Sequence, residues 1–334
     1  MTVSDLTPHP HGVTAVDARY LRAGLDAIHV IAHQGRAAIV DSGTTLSVPH
    51  LLGALERLGI ARDAVDWLFL THVHLDHAGG AGALLRELPR AQVVLHPRGA
   101  AHLVDPSVLA AATIGVYGEA TYRRLYGEIV PIDAARILVT RDGQRLELAG
   151  RAFEFLHTPG HALHHQAIVD LDANAVFTGD TFGVSYREFD VDGRAFAIPT
   201  TTPTQFDPEQ LVASIRRIAA LRPEAVYLTH YSRVTDVPRL AESLERQVRH
   251  LAQLAIAHAG SPEVAPAIRT GLREAWLAQV REHGCRMGEA QVDALLRGDL
   301  DLNVDGVLAW LARRRPAAAV TRAGASLDAA TPRH

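Results

Sequence analysis

Hydrophobic and polar positions in the first part of the chain alternate between β-type runs and helical spacing. Two β-rich runs within 27–40 are split by His33-Gln34-Gly35-Arg36 and predict a hairpin. Apolar residues at helical spacing over 48–58 predict a helix with Gly59 at its C-cap. The next elements predicted are a strand at 67–70, a helix at 81–88 and a strand at 92–96. This order predicts an α/β fold.

The pattern then changes to closely spaced strands separated by turns. These runs predict a sheet with mostly antiparallel connections and lie at 136–139, 145–148, 153–157, 166–170 and 175–177. The segment 106–126 before them predicts a helix. The aperiodic segment 185–206 predicts a long loop, and such loops inside compact domains are often functional. A helix capped by Asp207 and a strand at 225–228 complete the α/β part.

Beyond Val237 the pattern predicts helices only, at 238–258, 262–283, 288–296 and 305–314. Asp301 to Gly306 is similar to the start of a calcium loop, but Ala312 occupies the twelfth position, where such a loop needs Glu. We therefore interpret Asp305 as the N-cap of the last helix. The segment 316–334 is rich in Ala, Thr and Pro and predicts disorder.

Composition and charge exclude several classes of protein. Hydrophobic residues make up 48% of the chain, which is enough for a large core. The net charge of −4 gives no broad attraction to nucleic acid or to anionic lipid, so we expect neither as a partner. Cys285 is the only cysteine, which excludes a disulfide framework and a thiolate-rich metal site. The chain starts without a basic segment followed by an apolar run, so we expect a cytoplasmic location.

Histidine is the unusual component, with 19 residues of which several are clustered. The sequence THVHLDH at 71–77 follows a predicted buried strand, and residues i and i+2 of an extended segment project to the same side. His72 and His74 can therefore share one metal ion, because imidazole is the commonest protein metal ligand near neutral pH. Asp76 and His77 lie near the start of the next helix and predict a second position close to the first.

Three further candidate ligands each lie at the end of a predicted strand. They are His161 in TPGH, Asp180 in TGD and His230 in LTH. Strand ends along one edge of a sheet are where α/β active sites collect. The sequence therefore predicts a metal site built from both the THVHLDH cluster and these later residues.

The motifs THVHLDHAGG, TPGH, TGD and LTH resemble those of the glyoxalase II-like branch of the metallo-β-lactamase superfamily, over about residues 14 to 235. The resemblance implies an αββα sandwich with the site at one edge, followed here by a helical C-terminal extension. It also implies a first metal held by His72, His74 and His161, and a second held by Asp76, His77 and His230, with Asp180 bridging the two. On this basis we divide the chain into a catalytic domain at 14–235, a helical region at 236–315 and a disordered tail at 316–334.

These expectations together predict a binuclear metal-dependent hydrolase. A metal-bridging hydroxide would cleave an ester, thioester, lactone or phosphoester of a small molecule, with Asp76 and Asp180 as catalytic residues. The ligand types suit zinc, which is our first expectation, and also iron or manganese. The alternative is a diiron redox or oxygen-sensing protein on the same fold. Metal analysis, an absorption spectrum and a hydrolysis assay of the isolated protein distinguish the hydrolase from the diiron protein.

Residues outside the ligand set leave alternatives open. Tyr186, Arg187 and Tyr231 are candidate substrate contacts, and Asp41 either hydrogen-bonds near the site or stabilises its own turn. His164 and His165 either orient a ligand or are plain strand histidines.

The resemblance also bears on the substrate and on the C-terminal helices. Acyl-homoserine lactonases usually carry tyrosine three residues after the bridging Asp, where this chain has Gly183, which weakens a lactonase assignment. The C-terminal helices either cap the cleft or form the face of a homodimer. The sequence does not identify the substrate.

Overall fold

The computed structural model describes residues 5–314, and the tail predicted at 316–334 lies outside these residues. Within the described range, 13 strands form a seven-stranded and a six-stranded sheet. The first sheet contains β1 (Leu6–Pro8), β2 (Val13–Asp17), β3 (Ala27–His33), β4 (Arg36–Val40), β5 (Val65–Phe69), β6 (Gln92–Leu95) and β7 (Ile137–Val139). Its strands lie in chain order, antiparallel from β1 to β4 and parallel from β4 to β7.

The second sheet is mostly antiparallel. It contains β8 (Gln144–Leu148), β9 (Arg151–His157), β10 (Gln166–Asp170), β11 (Ala175–Gly179), β12 (Ala225–Leu228) and β13 (Ser232–Val234). The pair β11 and β12 is parallel, because a helix at Pro208–Ala220 crosses over between them. The other pairs in this sheet are antiparallel.

Helices pack on the outer face of each sheet and at the edge near Leu75. They are α1 (Val48–Arg57), α2 (Leu75–Ala78), α3 (Ala81–Glu87), α4 (Pro97–Val104), α5 (Ser107–Tyr117), α6 (Glu119–Tyr126), α7 (Pro208–Ala220), α8 (Val237–Ala257), α9 (Val264–Glu282) and α10 (Glu289–Arg314). The segment 106–126 forms two helices instead of one because Gly118 breaks it with a φ of 77°.

Three apolar clusters define the layers of the molecule. One lies between the sheets, where Phe69 of β5 contacts Phe153 and Phe155 of β9 at ring-centroid distances of 5.3 and 5.2 Å. A second joins the first sheet to α1, α3 and α4, and a third joins the second sheet to α7, α8, α9 and α10. The predicted αββα sandwich with a helical C-terminal extension is confirmed.

Local signals in the sequence account for several elements. Gln34 and Gly35 both have positive φ, 45° and 74°, which is the backbone of the tight turn expected between β3 and β4. The Asp207 side chain accepts a hydrogen bond from the Gln210 amide at 2.9 Å and caps α7 as predicted.

Two predictions about elements are wrong. The strand β7 was expected in the antiparallel sheet, yet it pairs with β6 in the first sheet. The separate helices expected at 288–296 and 305–314 are one continuous helix, α10, and Asp305 lies inside it without capping anything. The helix propensity of individual residues is a weak determinant of structure, and tertiary packing often overrides it. The buried face formed by Leu296, Leu300 and Val304 maintains the helix through the polar stretch.

None of the helices in the described part of the chain has the length and apolar character needed to cross a membrane. The division into domains at 14–235, 236–315 and 316–334 stays a prediction. The third apolar cluster joins residues on both sides of the first of these boundaries.

Candidate metal centre

All seven predicted ligands lie at one edge of the sandwich. The first sheet contributes the segment after β5, where His72 and His74 precede the short helix α2 and Asp76 and His77 belong to it. The second sheet contributes three positions that follow β9, β11 and β12, namely His161, Asp180 and His230. The site therefore spans the junction between the two sheets.

The first set of ligands consists of three histidines. The Nε2 atom of His72 lies 2.7 Å from Nδ1 of His74, and Nε2 of His161 lies 3.2 Å from the same Nδ1. The ligand atoms of this set all lie within 4.8 Å of one another. Three converging imidazole nitrogens can hold one divalent cation.

The second set combines a carboxylate with two histidines. Oδ2 of Asp76 lies 3.6 Å from Nε2 of His77 and 3.9 Å from Nε2 of His230. These atoms also lie within 4.8 Å of one another. The Asp76 side chain is 23% exposed, so this half of the site is open to solvent.

Asp180 lies between the two sets and directs one oxygen to each. Its Oδ2 is 3.3 Å from Nε2 of His161 in the first set. Its Oδ1 is 3.4 Å from Nε2 of both His77 and His230 in the second set. This arrangement is the geometry of a carboxylate that bridges two cations.

Two atoms at the centre of the site fit a bound cation. Nε2 of His77 and Oδ1 of Asp180 are buried and have no hydrogen-bond partner among the described residues. Buried polar atoms are almost always paired, so an unpaired imidazole nitrogen beside an unpaired carboxylate oxygen calls for a ligand between them. The donor set of nitrogen and oxygen atoms suits zinc, iron and manganese.

The outer ring nitrogens of the ligand histidines are fixed by further contacts. Nδ1 of His72 lies 3.1 Å from Oγ1 of Thr71, and Nδ1 of His161 lies 3.2 Å from the carbonyl oxygen of Thr200. Such contacts select the tautomer that directs the opposite nitrogen to the metal. Thr200 belongs to the loop 185–206, so this loop helps to orient a ligand histidine. A functional role of the loop was expected from its length.

Asp41 supports His77 and also links three elements. Its carboxylate lies 3.0 Å from Nδ1 of His77 and accepts hydrogen bonds from the amide and hydroxyl of Thr71. It also accepts from the Thr229 hydroxyl at 2.9 Å. Of the two roles considered for Asp41, the structure therefore shows the hydrogen bond at the site.

Asp26 is a site residue that the sequence did not reveal. Its side chain is 1% exposed, and its Oδ1 lies 2.7 Å from Nδ1 of His230. The carboxylate and the ring form a buried ion pair, and Nδ1 also lies 3.3 Å from the carbonyl oxygen of Leu25. An isolated Asp before a strand gives no motif, so nothing in the sequence indicated it.

The two sets of ligands differ in electrostatics. Burial lowers the pKa of His72, His74 and His161, which keeps these rings in the neutral form that binds metals. Burial also opposes charge on His77, but the carboxylates of Asp180 and Asp76 outweigh it and raise its pKa to about 9. The second set therefore binds protons in the absence of a cation.

The carboxylate of Asp180 stays ionised in this environment. Burial alone would raise its pKa, but the neighbouring rings of His77 and His230 lower it to about 2. The pKa of His230 is raised well above its usual value because Asp26 and Asp180 outweigh the effect of burial.

The two histidines after His161 have different surroundings. Nε2 of His165 accepts a hydrogen bond from the Asp180 amide at 3.2 Å, and its Nδ1 lies 2.8 Å from the Thr158 hydroxyl. His165 therefore positions the backbone of the bridging residue. Nδ1 of His164 accepts from the Val73 amide at 3.4 Å, and its ring lies 5.3 Å from that of His74.

The three candidate substrate contacts are largely engaged within the protein. The Tyr186 hydroxyl donates to both carboxylate oxygens of Asp299 in α10 at 3.0 Å. The Arg187 guanidinium donates to the Ser185 carbonyl at 2.7 Å. The Tyr231 ring is buried with Ala15 and Ala27, and its hydroxyl has no hydrogen-bond partner within the described range. Substrate contact by these residues stays a prediction.

Comparison with known sequences gives one family and a group of relatives. The family model described as Metallo-beta-lactamase superfamily matches residues 24–230, a range that contains all seven ligands. A metallo-beta-lactamase fold-containing protein of Sulfurisphaera tokodaii is 25% identical over 225 residues, which are 66% of this chain and 77% of that protein. A hydroxyacylglutathione hydrolase of Aeromonas hydrophila is 28% identical over 220 residues, 65% of each protein. The chain thus spans slightly less than two thirds of that enzyme.

Solved structures share the fold at low identity. An archaeal metallo-beta-lactamase superfamily protein from Sulfolobus tokodaii has a TM-score of 0.61 and 22% identity, with 90% of this chain and 99% of that chain covered. A metallo-beta-lactamase family protein from Thermus thermophilus has a TM-score of 0.60 and 21% identity, with coverage of 92% and 91%. Coverage this wide extends beyond residues 24–230, so the shared fold includes part of the C-terminal helical region.

Proposed function

The chain belongs to the metallo-beta-lactamase superfamily, within the glyoxalase II-like branch that its motifs predicted, and from this premise we propose that it is a hydrolase using two divalent metal ions. The substrate class we propose is an ester or thioester of a small molecule. The observation that carries the proposal is the orientation of Asp180, whose two carboxylate oxygens lie 3.3 to 3.4 Å from histidines of two different ligand sets.

The residues of the chain prepare the site for this chemistry. When bound, two divalent cations would acidify water to hydroxide near neutral pH and would polarise the carbonyl oxygen of the ester or thioester. His72, His74 and His161 would hold the first cation, and Asp76, His77 and His230 the second. Asp180 holds the two sets in a fixed relation, and its ionised carboxylate offsets part of the cationic charge.

Asp76 is placed to move protons. It is the most exposed of the acidic ligands, with 23% of its side chain open to solvent, while Asp180 is nearly enclosed. A carboxylate at the solvent boundary can accept a proton from the attacking water and return it to the leaving group. We therefore assign proton transfer to Asp76 and bridging to Asp180.

Two features favour esters and thioesters over lactones. The position at which lactonases of this superfamily usually carry tyrosine is Gly183, whose φ is +74°. A Cβ atom there would lie 2.1 Å from the carbonyl oxygen of Ile198, so this backbone has no room for a side chain. Several relatives are named hydroxyacylglutathione hydrolase, which points to acyl derivatives of thiols.

We assign zinc to both positions as the first candidate, since the ligands are histidine nitrogens and carboxylate oxygens. Iron and manganese accept the same donors. Metal analysis of protein isolated without added metal decides among them, and two equivalents per chain are expected.

The test is a hydrolysis panel of aryl esters, thioesters, lactones and phosphodiesters with zinc, iron or manganese added. Asp180→Asn should lower kcat/KM by about 100-fold or more on whichever substrate the wild type cleaves, since the neutral amide no longer bridges two cations. Asp192→Asn is the matched control. Asp192 is exposed, and its φ of 51° suits asparagine, so this variant should retain wild-type activity.

Two results would contradict the proposal. Activity that persists in Asp180→Asn would remove the role assigned to the bridging carboxylate. Iron in the isolated protein with an oxygen-dependent absorption spectrum, and no hydrolysis of any panel member, would favour the diiron sensor or redox alternative instead.

A further inference from the structure

A cavity of about 580 Å³ lies beside the metal centre, outside the ligand set. Its walls are the loop that follows β2, the segment that leads into α1, and helix α6. Cavities that bind small molecules usually have volumes of about 300 to 1,000 Å³. The cavity is therefore large enough for an organic ligand.

The cavity is lined by two polar groups without partners among the described residues, a guanidinium and an imidazole. Arg124 of α6 lines it and forms no ion pair in the part of the chain that the structure describes, whereas its neighbour Arg123 pairs with Glu119 at 2.8 Å. His50 also lines the cavity, and its Nε2 is buried without a hydrogen-bond partner within the described range. Arg19 lines the cavity as well but is neutralised by Asp5 at 2.8 Å. The unpaired guanidinium of Arg124 therefore favours an anion.

Large apolar side chains surround these polar groups. Leu21 and Leu46 line the cavity and are 63% and 56% exposed, among the highest values for large hydrophobic residues in the described chain. Leu125 and Pro49 complete the apolar lining. Exposed leucines from two separate segments around one cavity indicate a ligand with an alkyl portion.

Tyr20 connects this cavity to the metal centre. Its side chain lines the cavity, and its hydroxyl donates a hydrogen bond to the Tyr126 hydroxyl at 2.9 Å. The same ring packs in the cluster around Leu75, the residue that precedes the ligand Asp76. The Tyr20 hydroxyl also lies close enough to the Asp76 carboxylate for the two to interact electrostatically, so Tyr20 connects the cavity to the open half of the metal centre.

We propose that this cavity binds the non-reacting end of the substrate, and that this end is an alkyl chain carrying an anionic group. The inference rests on the proposed function, because it assumes that an ester or thioester is cleaved at the neighbouring metals. Arg124 pairs with the anion, and Leu21 and Leu46 contact the chain.

The first test measures binding to the metal-loaded protein by calorimetry and needs no catalysis. The probe is octanesulfonate, because a sulfonate is a weak ligand for metals, and octanol is the uncharged comparison. Arg124→Gln should weaken octanesulfonate binding at least about threefold and leave octanol unchanged. Leu46→Ser should weaken both ligands, since both bury the alkyl chain.

Arg123→Gln is the matched control for these variants. It removes the same charge from the same helix at a residue that does not line the cavity, so octanesulfonate should bind as it does to the wild type. If Arg123→Gln and Arg124→Gln weaken octanesulfonate binding equally, the effect comes from net charge alone. That result would overturn the pairing of Arg124 with the anion. Absence of saturable binding to the wild type up to about 10 mM would also overturn it.

The second test connects the cavity to hydrolysis. Mono-p-nitrophenyl suberate and p-nitrophenyl octanoate have acyl chains of equal length, and only the suberate carries a terminal carboxylate. Arg124→Gln should raise KM for the suberate at least about threefold, with kcat unchanged and the octanoate unaffected. An equal effect on both esters would overturn the pairing with Arg124.

The two tests separate the two proposals. If octanesulfonate binding depends on Arg124 but no ester or thioester is cleaved, the proposed function fails and the cavity remains a ligand site without the substrate role. If esters are cleaved but neither binding nor KM depends on Arg124, the cavity assignment fails and the hydrolase proposal stands.

Discussion

Two carboxylates outside the ligand set each orient one histidine of the second metal position. Asp41 contacts His77 and Asp26 contacts His230, in each case at the ring nitrogen that faces away from the centre. A carboxylate in this position raises the basicity of the ligand and fixes its orientation. The two residues are thus equivalent in effect, although Asp41 belongs to a recognisable turn and Asp26 does not.

Replacement of Asp26 by asparagine tests this role. Asp26→Asn keeps the size of the side chain but removes its charge, so His230 becomes a weaker ligand. We expect the second metal to bind about tenfold more weakly while the first is retained. Titration of metal-free protein with zinc measures both constants, and Asp192→Asn provides the control. Equal affinities in wild type and Asp26→Asn would show that Asp26 is not a positioning residue.

His29 predicts how stability depends on pH. It is buried in β3 against Phe177 and Tyr227, and burial lowers its pKa to about 3. His29 therefore becomes protonated near pH 6.5 in the unfolded chain but only near pH 3 in the folded protein. The associated stability is complete above pH 6.5 and is lost as the pH falls towards 3.

The measurement is the free energy of unfolding of metal-free protein between pH 6 and 4. The wild type should lose about 1.4 kcal/mol per pH unit more than His29→Gln, because the variant lacks this one proton. Metal-free protein is used so that metal release does not contribute. Parallel curves for the two proteins would contradict the assignment.

The residues that the sequence predicted are those whose type and spacing have a geometric cause. His72 and His74 occur two apart after a strand, and Asp180 and His230 end strands, so their convergence follows from the sheet order. Asp26 and the Thr200 carbonyl reach the site through loops whose course depends on packing. A backbone carbonyl carries no side-chain signal at all, so this contact is invisible in the sequence.

At the level of elements, α10 holds the long loop against the site. The Asn303 amide donates to the Pro199 carbonyl at 3.1 Å, and the Thr201 hydroxyl donates to the Leu302 carbonyl at 2.9 Å. The neighbouring Thr200 carbonyl is the partner of His161. The sequence predicted that a new helix begins at Asp305, because Asp favours N-caps, but the helix continues through this position and Asn303 bonds to the loop.

Two glycines of α10 provide a matched test of this contact. A Cβ at Gly306 would lie 2.1 Å from the Thr201 hydroxyl, whereas Gly298 has nothing within 4 Å. Gly306→Ala should lower the free energy of unfolding by about 1 to 3 kcal/mol. It should also weaken zinc binding at the first position, because the loop moves away from His161. Gly298→Ala should stabilise the protein by about 0.5 to 1 kcal/mol without changing zinc affinity.

Thermal unfolding and zinc titration of both variants check this expectation. Equal effects of the two substitutions would mean that α10 does not hold the loop. If Gly306→Ala loses stability but keeps its zinc affinity, the contact between α10 and the loop contributes to packing and not to the metal site.

For the whole molecule, the metal centre joins the two sheets at one edge. Four ligands follow β5 of the first sheet, and three follow strands of the second sheet. Cations that bind only the folded arrangement stabilise it by mass action. The two sheets also meet through the apolar cluster around Phe69, Phe153 and Phe155, and through hydrogen bonds such as the one from Thr229 to Asp41.

Removal of metal should therefore loosen the site edge of both sheets together. At a free zinc concentration about 100 times the dissociation constant, each bound ion contributes about 3 kcal/mol, which chelation abolishes. Hydrogen exchange should accelerate at 71–77 and at 178–180 alike, while α9 stays protected. Acceleration confined to one sheet would contradict a joint role.

The continuous cluster that unites the second sheet with α8, α9 and α10 has a practical consequence. A truncated protein ending at residue 235 would retain every metal ligand, yet it would remove Leu244 and Val248 from the apolar cluster that also contains Leu211, Val226 and Leu228. We expect such a fragment to aggregate during expression and the chain extended to residue 314 to remain in solution. The segment that matches the family model is thus shorter than the segment that we expect to be needed for a stable folded protein.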